Sequence, residues 1–226
     1  MFAQTGLLHL KSANVRLQFF RYPEGTLSFP VGKLWWVKQK LWLETKGGFR
    51  RSLWLSCERA FLLYIFLHKL VLSEKQEGFY IADDVSVLRV KELEEKRRGA
   101  VKFVMESKDG MYSGEVLLDW DDVLAMVSFL KAQAVFCVFV SGQYEHLGLQ
   151  RWKDHFFILH PIPIRIPTEK VKKARLLLKG EYQKPVVFKD LYSLKFVPEE
   201  GILFTTPNEN IKLSQEQVQK LNLFFE

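Results

Sequence analysis

An apolar strand gives way to a helix within the stretch Leu53-Trp54-Leu55-Ser56-Cys57-Glu58. The same order recurs at Val116-Leu117-Leu118-Asp119-Trp120-Asp121 and at Ile211-Lys212-Leu213-Ser214-Gln215-Glu216. In each junction Ser or Asp follows Leu as a helix N-cap, and an acidic residue in the first helical turn interacts favourably with the helix dipole. A turn signal and a strand-like segment precede each junction. The sequence therefore predicts a strand-strand-helix unit that is used more than once.

The composition indicates a folded protein with a moderately basic surface. The chain has 226 residues, of which 48% are hydrophobic, and this is enough for one large domain or for two to three small ones. The net charge is +7. This charge suits an anionic partner such as nucleic acid, and it is equally compatible with a role in solubility alone.

Cysteine usage and hydropathy favour a reduced, intracellular protein that does not span a membrane. Cys57 and Cys137 are the only cysteines, and their separation fits neither a metal site nor a disulfide framework. No stretch approaches the roughly 18 to 20 apolar residues of a membrane span. The first 23 residues lack acids, as a mitochondrial presequence does, but residues 15–20 alternate like a strand and are expected to belong to the fold. The expected location is cytoplasmic, and a mitochondrial location stays open.

Residues 1–76 are predicted to form a first unit of strands followed by a helix. Strands are predicted at 15–22, 26–31, 33–45 and 49–55, and Gly47-Gly48 signals a hairpin between the last two. Ser56 is predicted to cap a helix that runs from Cys57 to about residue 72. This helix is apolar on nearly all sides, so it must be covered on more than one face.

Residues 77–134 repeat this order. Strands are predicted at 79–81, 85–90, 101–107 and 111–118, with a hairpin at Asp109-Gly110 and a helix capped by Asp119. Residues 43–48 align one by one with residues 105–110, which places Lys40 on Lys102, and one inserted residue brings the two caps into line. Because self-similarity is the sign of repeat architecture, we predict an internal duplication.

The remaining sequence follows this pattern less closely. Residues 135–167 combine strands with a proline-rich extended segment and are predicted to be an insertion or linker. Residues 168–226 are predicted to form a degenerate third β-rich unit with a C-terminal helix, which begins with a capping box at Ser214 and Gln217. The predicted fold class is α+β, with repeated ββββα units of curved antiparallel sheet and with helices that pack together.

The predicted strand 33–45 carries the most suggestive surface. Alternation places aromatic and basic residues together on one of its faces: Trp36, Lys38, Lys40 and Trp42. A two-residue hairpin at Gly47-Gly48 would add Arg51 to this face. Such a face suits single-stranded nucleic acid, because bases stack on the rings while phosphates pair with the cations. The alternative is that the tryptophans pack beneath another element, with the lysines at its rim.

Further cations extend the predicted binding set. Lys46 lies at the same hairpin, and Lys102 is the second unit's counterpart of Lys40. The basic run between residues 170 and 179 is the other candidate, although such a run is also typical of an ordinary solvated face. The predicted nucleic-acid-binding residues are Trp36, Lys38, Lys40, Trp42, Lys46, Arg51, Lys102, Lys170, Lys172 and Lys173.

Catalytic, metal and cofactor motifs do not stand out in the sequence. Asp83 or Asp84 followed by Glu94 and Lys96 can be written as the acid-then-Glu-x-Lys pattern of a metal-dependent nuclease, but the second half lies in a highly charged segment. The histidines do not show the spacing of a helical metal site, and a phosphate loop or dinucleotide fingerprint is absent. We therefore expect a protein that is not an enzyme and has no cofactor or metal, with the nuclease as an unfavoured alternative.

The junctions at Leu55-Ser56-Cys57-Glu58, Leu118-Asp119-Trp120-Asp121 and Leu213-Ser214-Gln215-Glu216, with their preceding hairpins, resemble those of the Whirly and Pur-type single-strand nucleic-acid-binding folds. The resemblance does not extend to residues 135–167. It implies curved sheets that bind single strands, while the helices of two repeats, or of two subunits, pack together.

The resemblance and the aromatic strand together define the expected function. We expect a protein that binds single-stranded DNA or RNA on its sheet faces. The helices of the first two units are expected to pack as an internal pseudo-dimer, and the last helix to pair between subunits in a homodimer or a larger nucleoprotein assembly. The alternative function is a protein-interaction subunit that uses the same aromatic surface, since aromatic residues are also enriched at protein interfaces.

Overall fold

The computed structural model describes residues 3–10, 15–23, 37–44, 50–72, 74, 78–84, 86–92, 101–159 and 164–226. Within these residues the fold is α+β, with sixteen strands and four helices. The strands form four sheets of four strands each, and neighbours in each sheet are consecutive in the chain. A helix follows each sheet in the sequence.

The first sheet, sheet A, consists of β1 (Ala3–Leu10), β2 (Val15–Pro23), β3 (Val37–Glu44) and β4 (Arg50–Leu55). Helix α1 (Cys57–Val71) follows. The predicted N-cap is confirmed, because the Ser56 side chain accepts a hydrogen bond from the Arg59 N–H. The sequence did not predict β1, and the strand predicted at 26–31 lies outside the described residues.

The second sheet, sheet B, confirms the four strands predicted for the second unit. It consists of β5 (Phe79–Ala82), β6 (Ser86–Glu92), β7 (Val101–Ser107) and β8 (Ser113–Leu118). Helix α2 (Trp120–Gln133) follows, and the Asp119 side chain caps it by accepting a hydrogen bond from the Asp122 N–H at 2.8 Å. Strong turn signals and a clear period of two explain why this part of the chain was predictable.

Residues 135–167 differ from the expected insertion, because they form a sheet of their own. Sheet C consists of β9 (Val135–Ser141), β10 (His146–Trp152), β11 (His155–Leu159) and β12 (Ile164–Ile166), and helix α3 (Thr168–Leu178) follows. The sequence did not predict strand β10, because the polar residues Gln150 and Arg151 interrupt its apolar pattern. Both of these side chains are nevertheless buried.

Sheet D completes the chain. It consists of β13 (Val186–Lys189), β14 (Tyr192–Val197), β15 (Gly201–Thr205) and β16 (Asn210–Lys212), and helix α4 (Gln215–Phe225) follows. The predicted capping box is confirmed, because Ser214 and Gln217 each accept a hydrogen bond from the other's backbone N–H. A reciprocal pair of this kind satisfies two backbone donors that a helix N-terminus otherwise leaves unpaired.

The chain divides into two compact units, and the first contains the described residues up to Val135. In this unit α1 packs against β3 and β4 of sheet A, against β5 of sheet B and against α2, while α2 contacts β1 and β8. Phe61, Leu63, Tyr64 and Leu67 of α1 are almost completely buried. The expectation that α1 is covered on several sides and packs against the next helix is therefore confirmed.

The second unit contains the described residues from Phe136 onward, and its core is aromatic. Helix α3 packs against α4 and against strands of sheets C and D. The Phe225 ring centroid lies 5.8 Å from that of Phe156 in β11 and 6.3 Å from that of Phe188 in β13. Arg151 is buried beside them and donates a hydrogen bond to the Phe224 carbonyl at 2.9 Å, which compensates part of the cost of burying its charge.

A carboxylate joins two turns of this second unit. Glu209 lies in the β15–β16 turn. Its carboxylate accepts hydrogen bonds at 2.8 to 2.9 Å from three backbone N–H groups of the β9–β10 turn, those of Gln143, Tyr144 and Glu145. Desolvation acts to raise the pKa of Glu209, but the three N–H groups outweigh it and lower the pKa below its usual value. This contact links sheets C and D at their turns.

Candidate nucleic-acid interface

The third strand of sheet A, β3, carries Lys38, Lys40 and Trp42, and its register brings aromatic positions beside them. Lys40 is paired with Phe20 of β2 on one side and with Trp54 of β4 on the other. Directly opposed residues of neighbouring strands lie on the same face of a sheet. Alternation along the three strands then defines one face, the A face, formed by Arg16, Gln18, Phe20, Tyr22, Lys38, Lys40, Trp42, Glu44, Arg50, Ser52 and Trp54.

The A face points away from the core of the first unit. Four residues that alternate with it in β3 and β4 are at most 1% exposed: Gln39, Leu41, Leu53 and Leu55. Trp54, by contrast, is 37% exposed. The core side of β3 is therefore the one that carries Leu41, and the position of Lys40 is on the opposite side.

Charge distinguishes sheet A from sheet B. The strands of sheet A contain six arginines and lysines and one glutamate, whereas the strands of sheet B contain three basic residues and three glutamates. The excess of positive charge in the first unit's strands is thus concentrated in sheet A. An unbalanced cationic surface raises the local concentration of an anionic ligand and speeds its association.

The predicted position of Arg51 on this face is wrong. That prediction assumed a two-residue hairpin at Gly47-Gly48, but the register pairs Leu43 with Arg51 and Trp42 with Ser52. A shift of one residue moves every side chain of a strand to the other face of the sheet. Trp54 therefore takes the side that the prediction assigned to Arg51.

Three other predicted binding residues belong to the first unit: Trp36, Lys46 and Lys102. Trp36 and Lys46 lie outside the described residues. Lys102 lies on β7, the third strand of sheet B, and corresponds in position to Lys40 on the third strand of sheet A. Lys102 forms an ion pair with Glu115, and Arg89 on the same sheet lies 3.4 Å from Glu106. Two of the three basic residues in the strands of sheet B are thus paired with carboxylates.

The predicted lysines of the basic run lie on α3, in the second unit, whereas the A face belongs to the first. Lys172 is exposed, Lys170 is half-buried, and the Lys173 ammonium donates a hydrogen bond to Glu169 at 2.6 Å. This hydrogen bond and the charge of Glu169 raise the pKa of Lys173. The buried side of α3 is apolar, so the lysines occupy its outward side.

Only Asp83 and Asp84 of the nuclease pattern lie within the described residues. Asp83 accepts hydrogen bonds from the Trp54 N–H at 2.7 Å and from the Ser86 N–H at 2.6 Å, so it connects β4 with the β5–β6 turn. Glu94 and Lys96 lie outside the described residues. Within the part of the chain that the structure describes, no three His, Cys, Asp or Glu side chains are grouped as metal ligands.

Sequence reasoning missed three aromatic positions of the A face. Phe20 and Tyr22 lie on β2, where the alternation of residues 16–22 could have identified them together with the basic Arg16. Trp54 lies at a strand-to-helix junction, where its face depends on the register with β3. The local sequence carries no signal for that register.

Comparisons of the sequence with known proteins do not indicate a function. The chain matches no protein-family model, and no curated protein is similar to it in sequence. None of the helices in the described segments is long and apolar enough to cross a membrane.

Proposed function

We propose that this protein binds single-stranded nucleic acid on the A face and that it does so without catalysing a reaction. The observation that carries this proposal is the row formed by Phe20, Lys40 and Trp54, in which a basic position lies between two aromatic ones. Neighbouring strands are about 4.8 Å apart, so the two aromatic positions are separated by about 10 Å at the backbone. This spacing lets bases stack on the rings while a phosphate contacts the lysine between them.

The chemistry of this face favours single strands over duplexes. Stacking on a protein ring requires a base whose π-face is open, and duplex bases already stack on one another. Reading a duplex by its bases usually requires a helix or ribbon that enters the major groove, whereas the A face is the broad surface of a four-stranded sheet. Phosphate contacts would supply affinity without sequence preference.

The fold supports an internal repeat of ββββα units, which is part of this proposal. The aligned residues 43–48 and 105–110 begin at the ends of β3 and β7, the third strands of their sheets. Sheet C with α3 and sheet D with α4 follow the same order of four strands and a helix. The repeated helices pack in pairs, α1 with α2 and α3 with α4, as the resemblance to Whirly and Pur-type folds implies. The strands of sheet A carry six basic residues against one glutamate, and its outer face includes aromatic positions, so base stacking is assigned to sheet A.

Fluorescence anisotropy with a labelled single-stranded oligonucleotide and its duplex, each at two salt concentrations, tests this function. Trp54→Ala should weaken single-strand binding about 5- to 150-fold, because one stacked base contributes about 1–3 kcal/mol. Trp120→Ala is the matched control, since Trp120 is 43% exposed and lies in α2, off the A face. Wild-type tryptophan fluorescence should also be quenched by the single strand.

Two results would count against the A face as the binding surface. The wild-type protein could fail to bind either oligonucleotide at low salt, or Trp54→Ala could bind as tightly as Trp120→Ala. Far-UV circular dichroism and urea midpoints of both variants show whether a loss reflects unfolding rather than a missing contact.

A protein-interaction role is the second candidate. Leu117, Trp120 and Leu124 are large apolar side chains that are each more than 40% exposed at β8 and the start of α2, and exposed apolar groups favour a protein partner. Helix α4 packs against α3 of the same chain, so the homodimer through the last helix stays a prediction. Light scattering of the purified chain measures its oligomeric state.

A further inference from the structure

Sheet D has an outer face that the sequence analysis did not single out. The register pairs Lys195 of β14 with Leu203 of β15, and Leu203 with Lys212 of β16, so the three form one row across the sheet. The alternating positions Leu194 and Phe204 are completely buried. Leu203, in the central strand, is itself only 3% exposed, whereas Lys195 is half-exposed and Lys212 is exposed. The two lysines therefore lie on the side opposite to Leu194 and Phe204. We call this side the D face, formed by Val187, Ser193, Lys195, Val197, Gly201, Leu203, Thr205, Asn210 and Lys212.

The strands of sheet D contain cations without acids. Among the residues of β13 to β16 there are three lysines and neither aspartate nor glutamate. Lys189 and Lys212 are exposed, and Lys195 is half-exposed. None of the ion pairs between described side chains includes these lysines, whereas Lys102 and Arg89 of sheet B are both paired with carboxylates.

The neutral residues of the D face also suit a phosphate. Ser193, Thr205 and Asn210 form the row beside the lysine row, and the Thr205 hydroxyl donates a hydrogen bond to the Asn210 side-chain oxygen at 2.8 Å. Hydroxyl and amide groups share with lysine the role of contacting phosphate oxygens in nucleic-acid complexes. The D face has no aromatic residue, so it offers no stacking platform for bases.

From this arrangement we infer that the D face is a second contact surface for the nucleic-acid strand, one that binds the phosphate backbone and not the bases. Two strand spacings separate Lys195 from Lys212, which places their backbones about 10 Å apart. Two separate phosphates can therefore be neutralised at once. The inference relies on the proposed function for the class of ligand but on none of the residues of the A face.

The test compares the salt dependence of binding for two double variants that remove the same charge. Lys195→Ala with Lys212→Ala removes the lysine row, and Lys91→Ala with Lys108→Ala removes two exposed lysines that lie on neither the A face nor the D face. Each neutralised phosphate contributes about 0.7 to the slope of log K against log salt concentration for a single strand. For a labelled oligothymidylate, the magnitude of this negative slope should therefore be smaller by about 1.4 in the row variant and unchanged in the control variant.

The outcomes separate this inference from the proposed function. If the wild-type protein fails to bind the oligothymidylate at low salt, both are overturned. If Trp54→Ala weakens binding but the row variant has the slope of the control, only the D face is overturned. A lowered slope in the row variant with no effect of Trp54→Ala supports the D face and overturns the A face. Equal competition by a poly-glutamate peptide of matched length would overturn the nucleic-acid assignment of the D face in favour of an acidic protein.

Discussion

Replacing Gln39 by Leu is expected to destabilise the first unit strongly. Gln39 is completely buried in β3, and its side-chain amide makes two hydrogen bonds with the backbone of Val135. The Gln39 Nε2 group donates to the Val135 carbonyl at 2.8 Å, and the Gln39 Oε1 atom accepts from the Val135 N–H at 2.6 Å. Leucine is similar in size but has no polar atoms, so both backbone groups would lose their partner. An unpaired buried group costs about 1–3 kcal/mol, so the total cost is about 2–6 kcal/mol.

Urea unfolding followed by tryptophan fluorescence measures this effect. With a slope of about 2 kcal/mol per molar urea, a loss of about 3 kcal/mol lowers the midpoint by about 1.5 M. Gln219→Leu is the matched control, because Gln219 is exposed on α4 and its replacement should change the free energy of unfolding by less than about 0.5 kcal/mol.

A second variant at the same position tests the hydrogen-bond argument directly. In Gln39→Glu, a protonated carboxyl can donate to the Val135 carbonyl and accept from the Val135 N–H, whereas the carboxylate cannot donate. Burial should raise the pKa of this carboxyl above its unfolded value, so the variant is most stable below the unfolded pKa and loses stability as the pH rises through the folded pKa. The reasoning is refuted if Gln39→Leu lies within about 0.5 kcal/mol of the wild type, or if the stability of Gln39→Glu relative to the wild type is the same at about pH 4 and pH 8.

Two further predictions concern the second unit. Glu209→Gln should lower the thermal midpoint at neutral pH, because three backbone N–H groups lose a charged acceptor. The pKa of Glu209 is lowered in the folded state, so its contribution to stability is fully present above the unfolded pKa and is lost as the pH falls through the folded pKa. If the thermal midpoints of the wild type and of Glu209→Gln differ as much at acidic pH as at neutral pH, this prediction is wrong. Ser214→Ala should cost about 1 kcal/mol in urea unfolding by removing the cap of α4. The exposed, mid-helix Ser128→Ala is its control, and equal effects of the two would refute the role of the cap.

Under the proposed function, the A face and the D face have different roles. The A face combines aromatic and basic positions, which suits bases and phosphates together. The D face has lysines and neutral polar groups, which suits phosphates alone. In sheet B, by contrast, Arg89 and Lys102 are each paired with a glutamate.

Sequence patterns predicted the features that depend on neighbouring residues. The caps at Ser56, Asp119 and Ser214 are confirmed, because a side chain that bonds a backbone N–H three residues later needs no partner elsewhere in the chain. Local chemistry was sufficient in each of these cases.

Patterns were less successful where distant segments decide the structure. Strand β10 contains the buried Arg151, and its guanidinium donates a hydrogen bond to the carbonyl of Phe224, 73 residues later in the chain. Gln39 was not recognised as a core residue, because its partner Val135 lies 96 residues later. A polar residue at such a position looks like a surface residue until its hydrogen-bond partner is known.

The sequence by itself determined the α+β class, the capped helices and the presence of aromatic and basic residues in the strand that became β3. Tertiary structure decided which residues share a face. The pairing of Leu43 with Arg51, shifted by one residue from the expected hairpin, placed Trp54 beside Lys40 and moved Arg51 to the other side. The physical reason is that side chains alternate with a period of two along a strand, so a single step in register reverses the face of every residue, and only the packing of the whole sheet on its core selects that step.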